Sequence, residues 1–168
     1  DDVFWVDPKR RGVLPLEATG FAGHIASPDV HVDERERRIR MYFHGADTAT
    51  GGGGEQTTRL ALSADGLTFE ALPDDLGVPY WRVFTHAGWH YALGMPGQIY
   101  RSRDGIGGFE AGPAPFPANM RHAAVAVDGD RLAVFYTTIG DCPERILFAT
   151  IDLRADWRRW RPSAPVTV

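Results

Sequence analysis

Three stretches of this chain share one pattern, and that pattern limits what the chain can fold into. They are LSADGLTFEALP (62–73), RSRDGIGGFEAGP (101–113) and ATIDLRADWRRWRP (149–162). In each, Ser or Thr is followed two residues later by Asp. An aromatic comes next (Phe69, Phe109, and Trp157 or Trp160), and Pro closes the stretch. The recurrence is about every 40–50 residues, the size of one four-stranded antiparallel unit in a repeat architecture.

The residues ahead of each stretch keep the same order. In the first unit, 27–33 and 38–44 read as two strands around a charged turn, with Val30 and Val32 alternating with His31 and Asp33. A polar loop carrying Gly51–Gly54 follows. Thr58–Ser63 is a third strand, Asp65-Gly66 turns the chain, and 69–72 is a fourth. The second unit reads as 81–85, 89–93, 98–103 and a strand beginning at Phe109. The third reads as 122–127, 131–138, 144–151 and 157–160. Ahead of all three, Val3–Val6 and Val13–Leu16 read as short strands around a turn at Asp7–Gly12.

The class is therefore all-β, and the period predicts about three four-stranded blades of a β-propeller, at 24–73, 78–113 and 120–162. The alternative is a β-sandwich of short meanders, which has no need of this period. No segment carries a helical apolar stripe over eleven residues. Arg154–Arg161 comes nearest, and Pro162 ends it. The 168 residues, 43% hydrophobic and 24% charged, suit one globular domain with a real core. A net charge of −4 with both signs interspersed argues against nucleic acid or an anionic membrane as partner. No apolar run approaches the roughly 20 residues of a membrane span. Cys142 is the only cysteine, so no internal disulfide forms and the compartment is left open. A start at Asp1 rather than Met reads as a processed or truncated piece of a longer protein.

Meander geometry sorts the polar residues by face. The start of strand one and the loop between strands two and three share one face, and the turn between strands three and four lies on the other. Asp65-Gly66 and Asp104-Gly105 are thus predicted to serve turn chemistry, Asp accepting backbone N–H bonds and Gly taking positive φ. The opposite face gathers His24, Ser27, Asp29, Tyr80, Trp81, Arg82, Arg121 and His122 from strand-one starts. His44, Asp47, Met95, Asp141 and Glu144 join them from the two–three loops. Carboxylates, Arg, His and aromatics on the inner strands of a propeller suit a sugar or another polar ligand. The alternative role for these residues is hydrogen bonding between units. Gly51–Gly54 lacks the Lys-Ser/Thr of a phosphate loop. The six histidines form no helical pair, so neither a metal nor a channel calcium is indicated, and no cofactor is expected. Asp141-Cys142-Pro143 lacks the His/Asn constellation of a reactive thiol.

SPDVHVDERERRIRMYFHG (27–45) resembles the strand-one and strand-two signature of the five-bladed β-propeller glycoside hydrolases of family 43 and family 32 type. That signature runs from a small residue or Asp through Pro, a polar residue and V-x-V to a turn and an aromatic-rich return strand. VFTHAGWHYAL (83–93) and AVAVDGDRLAVFYT (124–137) resemble it again, and the likeness covers about 24–162. It implies a carbohydrate partner and carboxylate-assisted hydrolysis of a glycosidic bond, with three carboxylates on inner strands. Only Asp29 stands at a matching position, as base, nucleophile or orienter. His24, Tyr80, Trp81, Arg82, Arg121 and His122 are the implied substrate-binding residues. The family's D-P-x-V and Glu-Gly/Cys-Pro motifs are absent, and Asp141-Cys142-Pro143 falls in a two–three loop. The resemblance therefore fits either catalytic groups outside this chain or a non-catalytic carbohydrate-binding or scaffold propeller. A sialidase-like Asp-box, suggested by S-x-D-G-x-x-F, is the third reading, although that box has a further residue between Asp and Gly.

Overall fold

The computed structural model describes residues 12–46 and 55–168. The strand expected at Val3–Val6, Asp7–Arg11 of the turn after it, Asp47 and the Gly51–Gly54 loop lie outside the described residues. What is described is all-β: three four-stranded antiparallel sheets, each a meander in chain order, with no α-helix among the described residues. Sheet one holds β1 (Ile25–Asp33), β2 (Arg38–Ala46), β3 (Gln56–Ser63) and β4 (Glu70–Ala71). Sheet two holds β5 (Arg82–His86), β6 (Trp89–Gly94), β7 (Gln98–Ser102) and β8 (Glu110–Ala111). Sheet three holds β9 (Met120–Asp128), β10 (Arg131–Thr138), β11 (Leu147–Asp152) and β12 (Val166–Thr167).

Local sequence explains the turns. Ala87 and Gly88, both at positive φ (48° and 74°), join β5 to β6 in the hairpin geometry that matches strand twist. The repeated Ser-x-Asp-Gly closes the β3–β4 and β7–β8 connections. Asp65 Oδ1 accepts the N–H groups of Leu67 and Thr68 at 2.8 Å each, and Asp104 Oδ1 accepts those of Ile106 and Gly107 at 2.8 and 3.1 Å. The Thr68 N–H at Asp65, and the Ile106 N–H at Asp104, lead the bonds that hold both carboxyls below the ordinary carboxylate range.

Packing explains the apolar runs. Alternation along β5 sends Val83 into a core shared with Tyr42 and Leu60 of sheet one, and Phe84 into a core shared with Leu132 and Val134 of sheet three and with Trp160. Sheet two is thus buried on both faces, which is why its strands read as continuous apolar runs. The chain makes three layers with two inter-sheet cores, not the two layers of a sandwich. The other face of sheet one is covered by Leu14 and Phe21.

Two expectations fail. Val13–Leu16 is not a strand. Val13 gives one carbonyl to Phe69 N, and then Pro15, which has no N–H to offer a ladder, leads into a 3-10 turn at Leu16–Ala18. Nor is 157–160 the fourth strand of the third unit. Asp156 accepts the Arg158 N–H at 2.9 Å and starts a 3-10 turn at Trp157–Arg159, which plants Trp157 and Trp160 against Tyr91. Burying two indoles from one short segment needs the tighter turn, because a strand would alternate their faces. The fourth strand is β12, paired with Leu147 and Phe148, so this unit runs past 162.

Candidate functional site

Each sheet's first strand begins beside a non-glycine residue in the left-handed region: Ser27 (φ 50°), Tyr80 (φ 62°) and His122 (φ 48°). They occupy one register, three residues before Val30, Val83 and Val125. In β1 the pairing jumps from Ala26–His44 to Asp29–Tyr42, and in β9 from Arg121–Thr137 to Ala124–Phe135, so Ser27 and His122 sit in bulges. Such conformations cost about 1–3 kcal/mol each and re-aim the neighbouring side chains.

The side chains they redirect come together. Ring centroids are 6.0 Å apart for His24 and His44, 4.1 Å for His44 and Tyr80, and 5.2 Å for Tyr80 and His122. Arg121 donates to His122 Nε2. Arg82 donates to the carbonyls of Trp81 (2.8 Å) and Ser27 (3.4 Å). Neither arginine has a carboxylate partner among the described residues. His24 reaches the row because Gly45 lets the chain cross the end of β2. A Cβ there would stand 2.6 Å from the His24 carbonyl, and Ala22 and Gly23 both donate to Ala46 O.

His44, at the end of the apolar run of β2, is 1% exposed, and neither ring nitrogen has a hydrogen-bond partner. Burial pushes it down to about 4, helped by the nearby cationic forms of His24, Arg82 and His122, so it is neutral at pH 7. Sequence reasoning grouped His44 with the strand-one starts but gave it no role, because a histidine ending an apolar run looks like any core residue.

His24, Tyr80, Arg82, Arg121 and His122 thus converge, while Asp29 and Trp81 have other contacts. Asp29 Oδ2 accepts the Val83 N–H at 2.7 Å and meets His31 Nε2 at 2.8 Å, tying β1 to β5. Trp81 is 2% exposed and packs against Tyr100 and Phe109 in the core between sheets one and two. Of the loop residues, Asp141 pairs with Arg145 and Glu144 is exposed. Met95 lines a groove of about 670 Å³ that continues from Tyr80 between Glu55–Thr57 and Val78–Pro79. Glu55, on its wall, was not anticipated, since nothing in the sequence ties it to the starts of the first strands.

A larger groove, about 780 Å³, lies at the opposite end of β1, between the β1–β2 turn and Arg103–Asp104. Its charges largely answer one another. Arg40 donates to Asp33 at 2.6 Å and Arg38 to Glu36 at 3.1 Å. At the His44 end Arg82 and Arg121 stand beside the row of rings without a carboxylate partner among the described residues, and the candidate site is placed there. No group of three or more His, Cys, Asp or Glu among the described residues could hold a metal ion.

No family model matches the chain. An uncharacterized protein, R118, of Acanthamoeba polyphaga mimivirus is 31% identical to it over 157 residues, covering 84% of this chain and 44% of the viral protein. The chain spans less than half the length of that relative.

Proposed function

We propose that this chain is an arc of blades from a β-propeller of the glycoside-hydrolase type, and that it holds a carbohydrate where its first strands begin. The observation that carries this reading is the left-handed residue at one register in all three units, Ser27, Tyr80 and His122. Consecutive blades around an axis require sheets of one strand order with their first strands innermost. In support, β5 and β9 lie against each other, and Asp29 ties β1 to β5. A sugar offers hydroxyls to His and Arg donors and an apolar ring face to an aromatic, here Tyr80 at the mouth of the 670 Å³ groove.

Binding is favoured over cleavage because hydrolysis needs two carboxyl groups about 5–10 Å apart, and one oxygen of Asp29 is taken by Val83 N–H and His31. Cleavage is the second reading. It is favoured by Glu55, which shares the groove with Tyr80, and it leaves Asp29 as an orienting group. The Ser-x-Asp-Gly turns act as turns in either case. Calorimetry against a panel of furanoside and pyranoside oligosaccharides tests the proposal. Tyr80→Ala and His122→Ala should weaken binding at least tenfold while Asp65→Asn leaves it unchanged, and release of reducing ends separates cleavage from binding. Failure of every oligosaccharide to bind overturns the reading.

A further inference from the structure

Resting on the carbohydrate reading, we propose that this site takes an anionic sugar, one bearing a carboxylate or sulfate group, and that His44 is the residue set beneath the anion. Neutral sugars are bound by donors balanced with acceptors, commonly carboxylates. Here the row of His24, His44, Tyr80 and His122 is flanked by Arg82 and Arg121, neither of which has a carboxylate partner among the described residues. The groups acting on His44 are His24, Arg82 and His122, all cationic or able to become so. Glu55 lines the groove that Tyr80 shares and is not among the groups acting on His44.

His44 itself is the second observation. Its two ring nitrogens are buried without a partner, a state that costs about 1–3 kcal/mol for an orphaned donor. An oxyanion accepting from its N–H removes that cost. Tyr80 covers the His44 ring, with centroids 4.1 Å apart, so binding in this way requires the tyrosine ring to shift from that contact as the anion arrives. Because neutral His44 sits among cations, an arriving anion also favours its protonation, and binding takes up a proton.

The test uses digalacturonate, the neutral galactose disaccharide of the same linkage, its sulfated form, and inorganic sulfate, by calorimetry at pH 6 in low salt. At least one anionic disaccharide should bind ten times or more tightly than the neutral one, and the advantage should shrink at high salt. Which anionic disaccharide binds best distinguishes carboxylate from sulfate. Arg82→Gln and Arg121→Gln should each lower anionic binding at least threefold more than they lower neutral binding, so that the anionic advantage shrinks. His44→Phe should remove the proton uptake seen as a buffer-dependent heat. If that variant misfolds by circular dichroism, the two arginine variants still decide the matter. Equal affinity for neutral and anionic disaccharides overturns the proposal while leaving carbohydrate binding intact. Binding of sulfate with no disaccharide bound overturns the sugar assignment, and both proposals fall with it.

Discussion

Lowering the pH should weaken this protein through His44 before its carboxylates are affected. In the folded state the ring titrates near 4, against 6.5 when exposed. Between those values the unfolded chain binds the proton and the folded chain does not, so stability is complete above about 6.5 and is lost as pH falls toward 4. The full shift corresponds to a loss of up to about 3 kcal/mol. Solvent at the exposed rings of His24 and His122 screens part of it, which leaves about 1–3 kcal/mol. His90, also pushed down by burial, acts in the same direction, so the effect must be isolated by difference. His44→Phe keeps a ring in the stack with Tyr80 and removes the titration. Urea unfolding of both proteins at several pH values between 7 and 4.5 measures it. The wild type should lose about 1–3 kcal/mol more than the variant, a midpoint difference of roughly 1 M at ordinary m-values. Parallel stability curves for the two proteins would refute the buried, neutral His44.

Further outcomes follow from named contacts and turns. Asp29→Ala should cost about 1–3 kcal/mol in chemical denaturation by orphaning the Val83 N–H. Asp29→Asn, which keeps an acceptor, should stay within about 1 kcal/mol of wild type. Gly112→Ala should cost about 1–3 kcal/mol, since a Cβ there collides with the Trp157 ring, and Trp157→Leu in the same background should show a non-additive recovery. Ala87→Asn should stabilise by about 0.5–1 kcal/mol and raise Tm, because Ala87 stands at φ 48° in a turn that prefers Asn-Gly.

Much of the fold was legible because its signals are local. Turn residues, the Ser-x-Asp-Gly repeat and runs of strand length recur in order, and three four-stranded sheets follow from them. The fourth strand of the third unit was not legible. Trp157 and Trp160 look like strand residues, and only their shared packing on Tyr91 shows that a turn delivers them. In the site, the common offset from Val30, Val83 and Val125 marked the register but not the direction of each side chain. Tyr80 in the left-handed region turns Trp81 into the core, so a residue that looked ligand-facing is structural. The bond from Val83 N–H to Asp29 joins two sheets, and no local pattern announces it.

The central claim is that ligand binds where the first strands begin, and the histidines divide the molecule for that purpose. His24, His44 and His122 belong to the ring cluster at the strand starts. His31 and His90 line the groove at the opposite end, and His86 lies near Asp130. Long-range proton–nitrogen NMR spectra of the imidazoles, titrated with digalacturonate, read all six sites at once. The account predicts that the His24, His44 and His122 resonances move together and saturate, while those of His31, His86 and His90 stay fixed. Movement of His31 and His90 instead, with the His44 cluster unchanged, would contradict it.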